Sequence, residues 1–158
     1  MKNQTVKAII LGKKTLSDND KLVFLYCDEF GKICVIAKGA NKMLSRTTGH
    51  LETLNLVKTS LYFGPRNIIL SEIQTLKYFP KIREDFSKLH FAFSVAEITD
   101  KTIYDRQNVK NLLPLITETL SQISQTSAPN KLQLITFAYS AKLLDKLGLI
   151  PNFQDLEN

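Results

Sequence analysis

The hydrophobic pattern of this chain changes period once, near residue 80, and that change restricts the architectures open to it. Before it, apolar residues recur at every second position, as in Val6, Ala8 and Ile10, in Leu22, Phe24 and Tyr26, and in Ile33, Val35 and Ala37. Period two means strands with one face turned to a core. Beyond Lys81 the apolar residues fall three and four apart: Phe86, Leu89, Phe93 and Ala96; then Leu112, Leu113, Leu115, Ile116, Leu120 and Ile123; then Leu134, Phe137, Ala141 and Leu144, with Leu143 and Leu147 beside them. That spacing predicts helices that pack through these stripes, on one another and on the sheet. The chain therefore reads as α+β, with a strand domain over residues 1–80 and an all-α domain over residues 81–158.

Turn chemistry counts the strands. Asp28-Glu29-Phe30-Gly31 separates the second run from the third as a hairpin turn, and Gly64-Pro65 joins two longer runs, Leu51 to Phe63 and Arg66 to Phe79. Between the third and fourth strands, Gly39 to Gly49 has the composition of a loop or short helix. Five antiparallel strands interrupted after the third are the order of an OB-fold, a small barrel that often binds oligonucleotides. In the second half, Pro114 is tolerated if its helix begins at Asn108 or Asn111, Thr126 to Asn130 links two helices, and Gly148 followed by Pro151 stops the last one.

With 158 residues, 44% of them hydrophobic, the chain can bury a core without a disulfide or metal staple. Its cysteines, Cys27 and Cys34, lack the companions of a four-ligand zinc site and read as small packing residues, although some hairpin registers would set them opposite each other. The N-terminal residues carry Lys2, Lys7, Lys13 and Lys14 around a short apolar run and show no secretory pattern, so a cytoplasmic location is expected.

Charge is uneven. Residues 1–80 hold 12 Lys and Arg against 6 Asp and Glu, whereas residues 81–158 hold 9 against 9. The span from Phe30 to Leu51 has no acid and presents Lys32, Lys38, Lys42 and Arg46. A positive field on one small domain attracts polyanions, with nucleic acid the leading candidate. A merely solvated basic surface would have the same composition.

Catalytic patterns are missing: there is no nucleophile elbow, phosphate-cradling glycine cluster or histidine metal motif, and no catalytic residue or cofactor is expected. Asp18 and Asp20 read as turn formers rather than cation ligands. Non-catalytic binding of a single strand needs cations for phosphates and aromatic faces for bases. Tyr26, Phe30 and Tyr62 are the candidate stacking residues, and Lys13, Lys14, Lys32 and Arg66 are cations chosen by charge and predicted position.

Several segments also resemble a known family. Ala8-Ile9-Ile10-Leu11, Asp20-Lys21-Leu22-Val23, Phe30-Gly31-Lys32 and above all Ala37-Lys38-Gly39-Ala40-Asn41-Lys42-Met43-Leu44-Ser45-Arg46 resemble the start of RecO proteins, in order and spacing. Phe79-Pro80-Lys81-Ile82-Arg83-Glu84-Asp85 is similar to the family's passage from barrel to helices, and Leu147-Gly148-Leu149-Ile150-Pro151 to the end of its central helix. The resemblance implies a non-enzymatic DNA repair mediator. Such a protein binds single- and double-stranded DNA, anneals strands, works with RecR to load RecA, and grips the acidic, hydrophobic tail of single-strand-binding protein through its helices. It also implies DNA contacts at Lys38, Lys42 and Arg46. Many family members continue into a cysteine-rich zinc hairpin that has no counterpart in Asn152 to Asn158, so no metal is expected. Two other readings of the residues remain: an OB-fold adaptor whose main partner is protein, and an RNA-binding OB protein.

Overall fold

The computed structural model describes residues 3–43 and 45–150. Five strands, β1 (Asn3–Thr15), β2 (Lys21–Cys27), β3 (Gly31–Ala37), β4 (Leu56–Phe63) and β5 (Ile68–Lys77), close into a barrel in the order β1-β2-β3-β5-β4. Among these five strands the β3–β5 pairing is parallel and the others are antiparallel. The helices α1 (Pro80–Arg83), α2 (Phe86–Thr102), α3 (Leu112–Gln125) and α4 (Pro129–Lys146) follow. This is the α+β arrangement and OB strand order expected from the pattern. The fourth strand, however, begins at Leu56 rather than Leu51. Thr48–Leu51 is a 3-10 turn, Leu54 has a left-handed backbone (φ 76°), and Asn55 is turned into the protein.

β1 explains the unbroken apolar run Ala8 to Leu11. Val6, Ala8 and Ile10 point into the barrel, where they meet Val23, Leu25, Val35, Val57 and Leu61. Ile9 and Leu11 point outward into a second core shared with the helices, which contains Tyr26, Leu56, Val95, Ile116 and Tyr139. Each such aliphatic side chain contributes roughly 1.5–3 kcal/mol on full burial. A bulge between Ile10 and Gly12 lets the one strand pair with β4 along its first half and β2 along its second. Cys27 lies opposite Gly31 and Cys34 opposite Phe24, so the hairpin register keeps the two thiols apart.

The helices obey the predicted period, but two of them are rotated from the predicted phase. α3 buries Leu112, Leu113, Ile116, Leu120 and Ile123 as expected. α2 instead buries Lys88, Ala92, Val95, Ala96 and Thr99, leaving Phe86 and Phe93 exposed. Small residues on that face allow α4 to approach, and the Tyr139 hydroxyl meets that of Thr99. Lys88 ends on the carbonyl of Ser124 at 3.0 Å, which satisfies its buried ammonium. α4 turns Leu132, Tyr139 and Leu143 inward, so Leu134, Phe137 and Leu144 face outward. Both α2 and α4 have apolar residues on more than one side, and spacing alone does not say which side is covered.

Barrel and helices are joined by the α2–α3 connection, which lies against the β2–β3 hairpin. The buried Tyr26 hydroxyl donates to the Val109 carbonyl and accepts from the Val109 N–H, both at 2.9 Å. Gly31 adopts φ +70°, and any Cβ there would collide with the Gln107 carbonyl. The Asn108 side chain donates to the Asp28 carbonyl, and Lys32 donates to the Asp100 carbonyl at 2.6 Å. On the far side, Arg83 stacks on Tyr78 and donates to Thr53 O and to Asn55 Oδ1, tying the first helical turn to the segment before β4.

Replacing Tyr26 by Phe leaves both polar groups of Val109 without a partner in a dry site. It should lower unfolding free energy by about 1–3 kcal/mol, read from the midpoint of a urea titration. A second expectation concerns alkali. Burial pushes the Cys27 thiol from its ordinary 9.0 up to about 11. Below pH 9.0 the thiol is neutral folded and unfolded, and its contribution is intact; as pH rises from 9.0 toward about 11, only the unfolded chain ionises and stability falls. Urea titrations across that window should show a shallower decline for Cys27→Ala.

Candidate nucleic-acid interface

Lys38 and Lys42 stand on one hydrogen-bonded corner. Gly39, with φ +69°, turns the chain as it leaves β3, and its N–H donates to Asp20 Oδ1 at 2.8 Å. The Asn41 side chain donates to the carbonyls of Ser17 and Asp20, while its N–H reaches the Asn19 carbonyl at 2.9 Å. The β1–β2 loop and the segment after β3 are thereby sewn together, and Asp20 serves as an acceptor within the turn. Lys42 folds its aliphatic stem beside Gly39. Further along, Thr48 Oγ1 donates to the Ala40 carbonyl at 2.7 Å and keeps the loop carrying Arg46 folded on itself. Lys38, Lys42 and Arg46 are all exposed, and no ion pair among the described residues involves them.

Beneath this corner lies the outer face of β2 and β3. Val23, Val35 and Ala37 point into the barrel, so Leu22, Cys34 and Ile36 point out. The register sets Lys14 beside Leu22, Leu22 beside Ile36, Ile36 beside Ile69, and Ile69 beside Tyr62. One row across the barrel thus begins with a cation, continues through three half-buried aliphatic residues and ends on an aromatic ring. Neighbouring strands are about 4.8 Å apart, so Leu22 to Tyr62 spans roughly 14 Å. Such a surface can support bases on its apolar row and phosphates on the lysines above and beside it. Burial raises the Cys34 thiol pKa; Asp105 and Asp100 raise it further, and Lys14 opposes them.

Two family models match the sequence in succession, "Recombination protein O N terminal" over residues 1–79 and "Recombination protein O C terminal" over residues 83–155. The chain belongs to the RecO family. It is 29% identical over 150 residues to the DNA repair protein RecO of Bacillus cytotoxicus, covering 95% of this chain and 59% of the relative. Against the DNA repair protein RecO of Listeria welshimeri the identity is 30% over 145 residues, covering 92% and 56%. The chain therefore spans under three-fifths of the length of the curated relatives it matches.

In this RecO-family chain two expected contacts are corrected by their surroundings. Tyr26 is fully buried with its hydroxyl on Val109, so it has no face to offer a base. Lys32 is held within the junction, 3.5 Å from the Asp100 carboxylate and 3.9 Å from that of Asp105, its side chain only 13% exposed. Both sit near the helix-covered end of the hairpin, where strand alternation gives no warning of a second layer. Lys13 is balanced by Glu52 at 2.6 Å. Lys14 is exposed above Phe24, 5.5 Å from its ring centroid. Phe30 is half-buried against Phe63, with 4.8 Å between centroids. Tyr62 ends the apolar row, and Arg66 is exposed in the β4–β5 turn.

The structure adds cations that the sequence reading passed over. Lys21 begins β2 directly opposite Ala37, one residue before Lys38. Arg106, in the α2–α3 connection, lines the same groove as Arg66. The Asp20-Lys21 pair was visible as a motif, but nothing in the local sequence reveals that Arg106 reaches the barrel. No helix among the described residues is long and apolar enough to cross a membrane.

The corner depends on Asp20. Asp20→Ala removes the acceptor for Gly39 N–H and should lower stability by about 1 kcal/mol. It should also speed hydrogen exchange at Gly39 while leaving the strand amides of β2 and β3 protected, a difference that site-resolved exchange would read.

Proposed function

We propose that this chain is a non-enzymatic mediator of DNA repair and recombination that binds single-stranded DNA on the Lys38–Lys42 corner and the outer face of β2 and β3. The observation that carries the reading is the placement of exposed, unbalanced cations, Lys38, Lys42, Arg46 and Lys14, around the row Leu22, Ile36, Ile69 and Tyr62. Cations of this kind meet phosphates rather than base edges, so binding is largely independent of sequence and extends to double strands. In keeping with its family, the chain anneals complementary strands and helps load RecA together with RecR.

α4 supplies a surface for the protein partner. Leu134, Phe137 and Leu144 are 65%, 73% and 40% exposed along one side, and Lys131 and Lys142 are exposed on the same helix. An acidic, hydrophobic peptide such as the tail of single-strand-binding protein complements that combination.

Fluorescence anisotropy of a labelled strand of ~30 nucleotides, titrated at low and near-physiological salt, tests the DNA reading. Wild type should bind with a steep salt dependence. The Lys38→Glu, Lys42→Glu double variant should bind roughly ten- to a hundredfold more weakly, its salt slope reduced by about 1.4 for two lost single-strand contacts. No binding by folded wild type at low salt would move the assignment to a protein adaptor, and preference for a matched RNA strand in competition would move it to RNA. Phe137→Glu should abolish binding of an acidic tail peptide and leave strand binding intact.

A further inference from the structure

β3 and β5 pair at only two positions, Ile36 with Ile69 and Ala37 with Leu70. Toward the helices the strands part, and the exposed edge of β3 is occupied by the α2–α3 connection. Asp105 bridges Lys32, and the Arg106 N–H donates to the Lys32 carbonyl at 2.7 Å. A groove of about 270 Å³ opens in the divergence. Leu22, Cys34 and Ile36 belong to its lining from the barrel, Arg66 and Asn67 from the β4–β5 turn, and Arg106 from the helical half.

Arg106 has an unusual backbone for a non-glycine residue, with φ 63°. Such a conformation persists where the surroundings fix it, and here the bond to Lys32 does so. Its guanidinium stands 5.9 Å from the centroid of Phe63, which also packs against Phe30. The side chain is nevertheless exposed, and no ion pair among the described residues involves Arg106, Arg66 or Lys14. Asp105 also lines the groove, its side chain 80% exposed and 3.9 Å from the half-buried Lys32 ammonium, and Asp100 stands 3.5 Å from the same ammonium. Their field reaches Cys34, which makes the floor a poor place for a phosphate and leaves it to bases. The rims, with Lys14 on one side and the two arginines on the other, are where phosphates fit.

We propose that the α2–α3 connection is itself part of the single-strand surface. Arg106, together with Arg66, holds the backbone of a strand whose bases lie against Leu22, Cys34 and Ile36. This inference rests on the single-strand reading above and extends the surface from the barrel to the helical half. It makes docking of the connection onto β3 a condition of full affinity.

The test uses the full chain with Arg106→Asn, since Asn tolerates a left-handed backbone, and Arg106→Lys, which keeps the charge. Arg106→Asn should bind a single strand several-fold more weakly, with a salt slope lower by about 0.7, and Arg106→Lys should restore the slope. In wild type, a saturating oligonucleotide should slow alkylation of half-buried Cys34 several-fold, the fully buried Cys27 being silent. A thermal midpoint for Arg106→Asn at or above that of wild type excludes unfolding as the cause. Unchanged affinity and slope in Arg106→Asn, or unprotected Cys34 at saturation, would overturn the inference. If wild type still depends on Lys38 and Lys42 in that case, the single-strand reading stands and only this extension fails; no binding by wild type at low salt would sink both.

Discussion

The contact between the two halves of this protein is centred on one buried hydroxyl. Tyr26, on the outer face of β2, makes paired bonds to the backbone of Val109, so the α2–α3 connection cannot shift along the hairpin without leaving two buried peptide groups unsatisfied. The residues beside it are shaped by the same approach of the two segments. Gly31 has to be a residue without a Cβ because the Gln107 carbonyl arrives against it, and Lys32 has to find acids because the same approach removes it from water. The connection then caps the edge that β3 exposes where it parts from β5, which a barrel with only two β3–β5 pairs would otherwise leave open.

That junction divides the basic residues into two kinds. Lys13, Lys32 and Lys88 have definite partners and contribute to holding the fold. Lys38, Lys42, Arg46, Lys14 and Arg66 are exposed on loops and strand ends, and no ion pair among the described residues involves them. The loop carrying the first three is nevertheless ordered by Asp20, Asn41 and Thr48, so those charges are presented from a braced surface. A polyanion docking there loses less conformational freedom than it would against a mobile basic tail.

β1 shows how one segment can serve two cores. Alternation sends Ala8 and Ile10 inward and Ile9 and Leu11 outward, and because helices cover the outside, all four are buried. The barrel is therefore amphipathic only over part of its circumference. Where no helix lies over it, as at Leu22, Ile36 and Ile69, apolar side chains remain half-exposed.

The sequence by itself determined the α+β order, the five strands, the hairpin turn at Gly31 and the basic stretch from Lys32 to Arg46. Each of these depends on local chemistry: side-chain period, glycine conformations and charge counts over short windows. It determined the period of every helix, yet for α2 and α4 it did not determine the phase, because Phe86, Phe93, Leu134 and Phe137 compete with Ala92, Val95 and Tyr139 for the covered side. Only the tertiary structure decided that Tyr26 and Lys32 lie beneath a second layer, and that Arg106 stands at a groove formed with residues from Leu22 to Ile68, far earlier in the chain. Those outcomes depend on which surfaces meet across long sequence separations, and side-chain spacing carries no information about that.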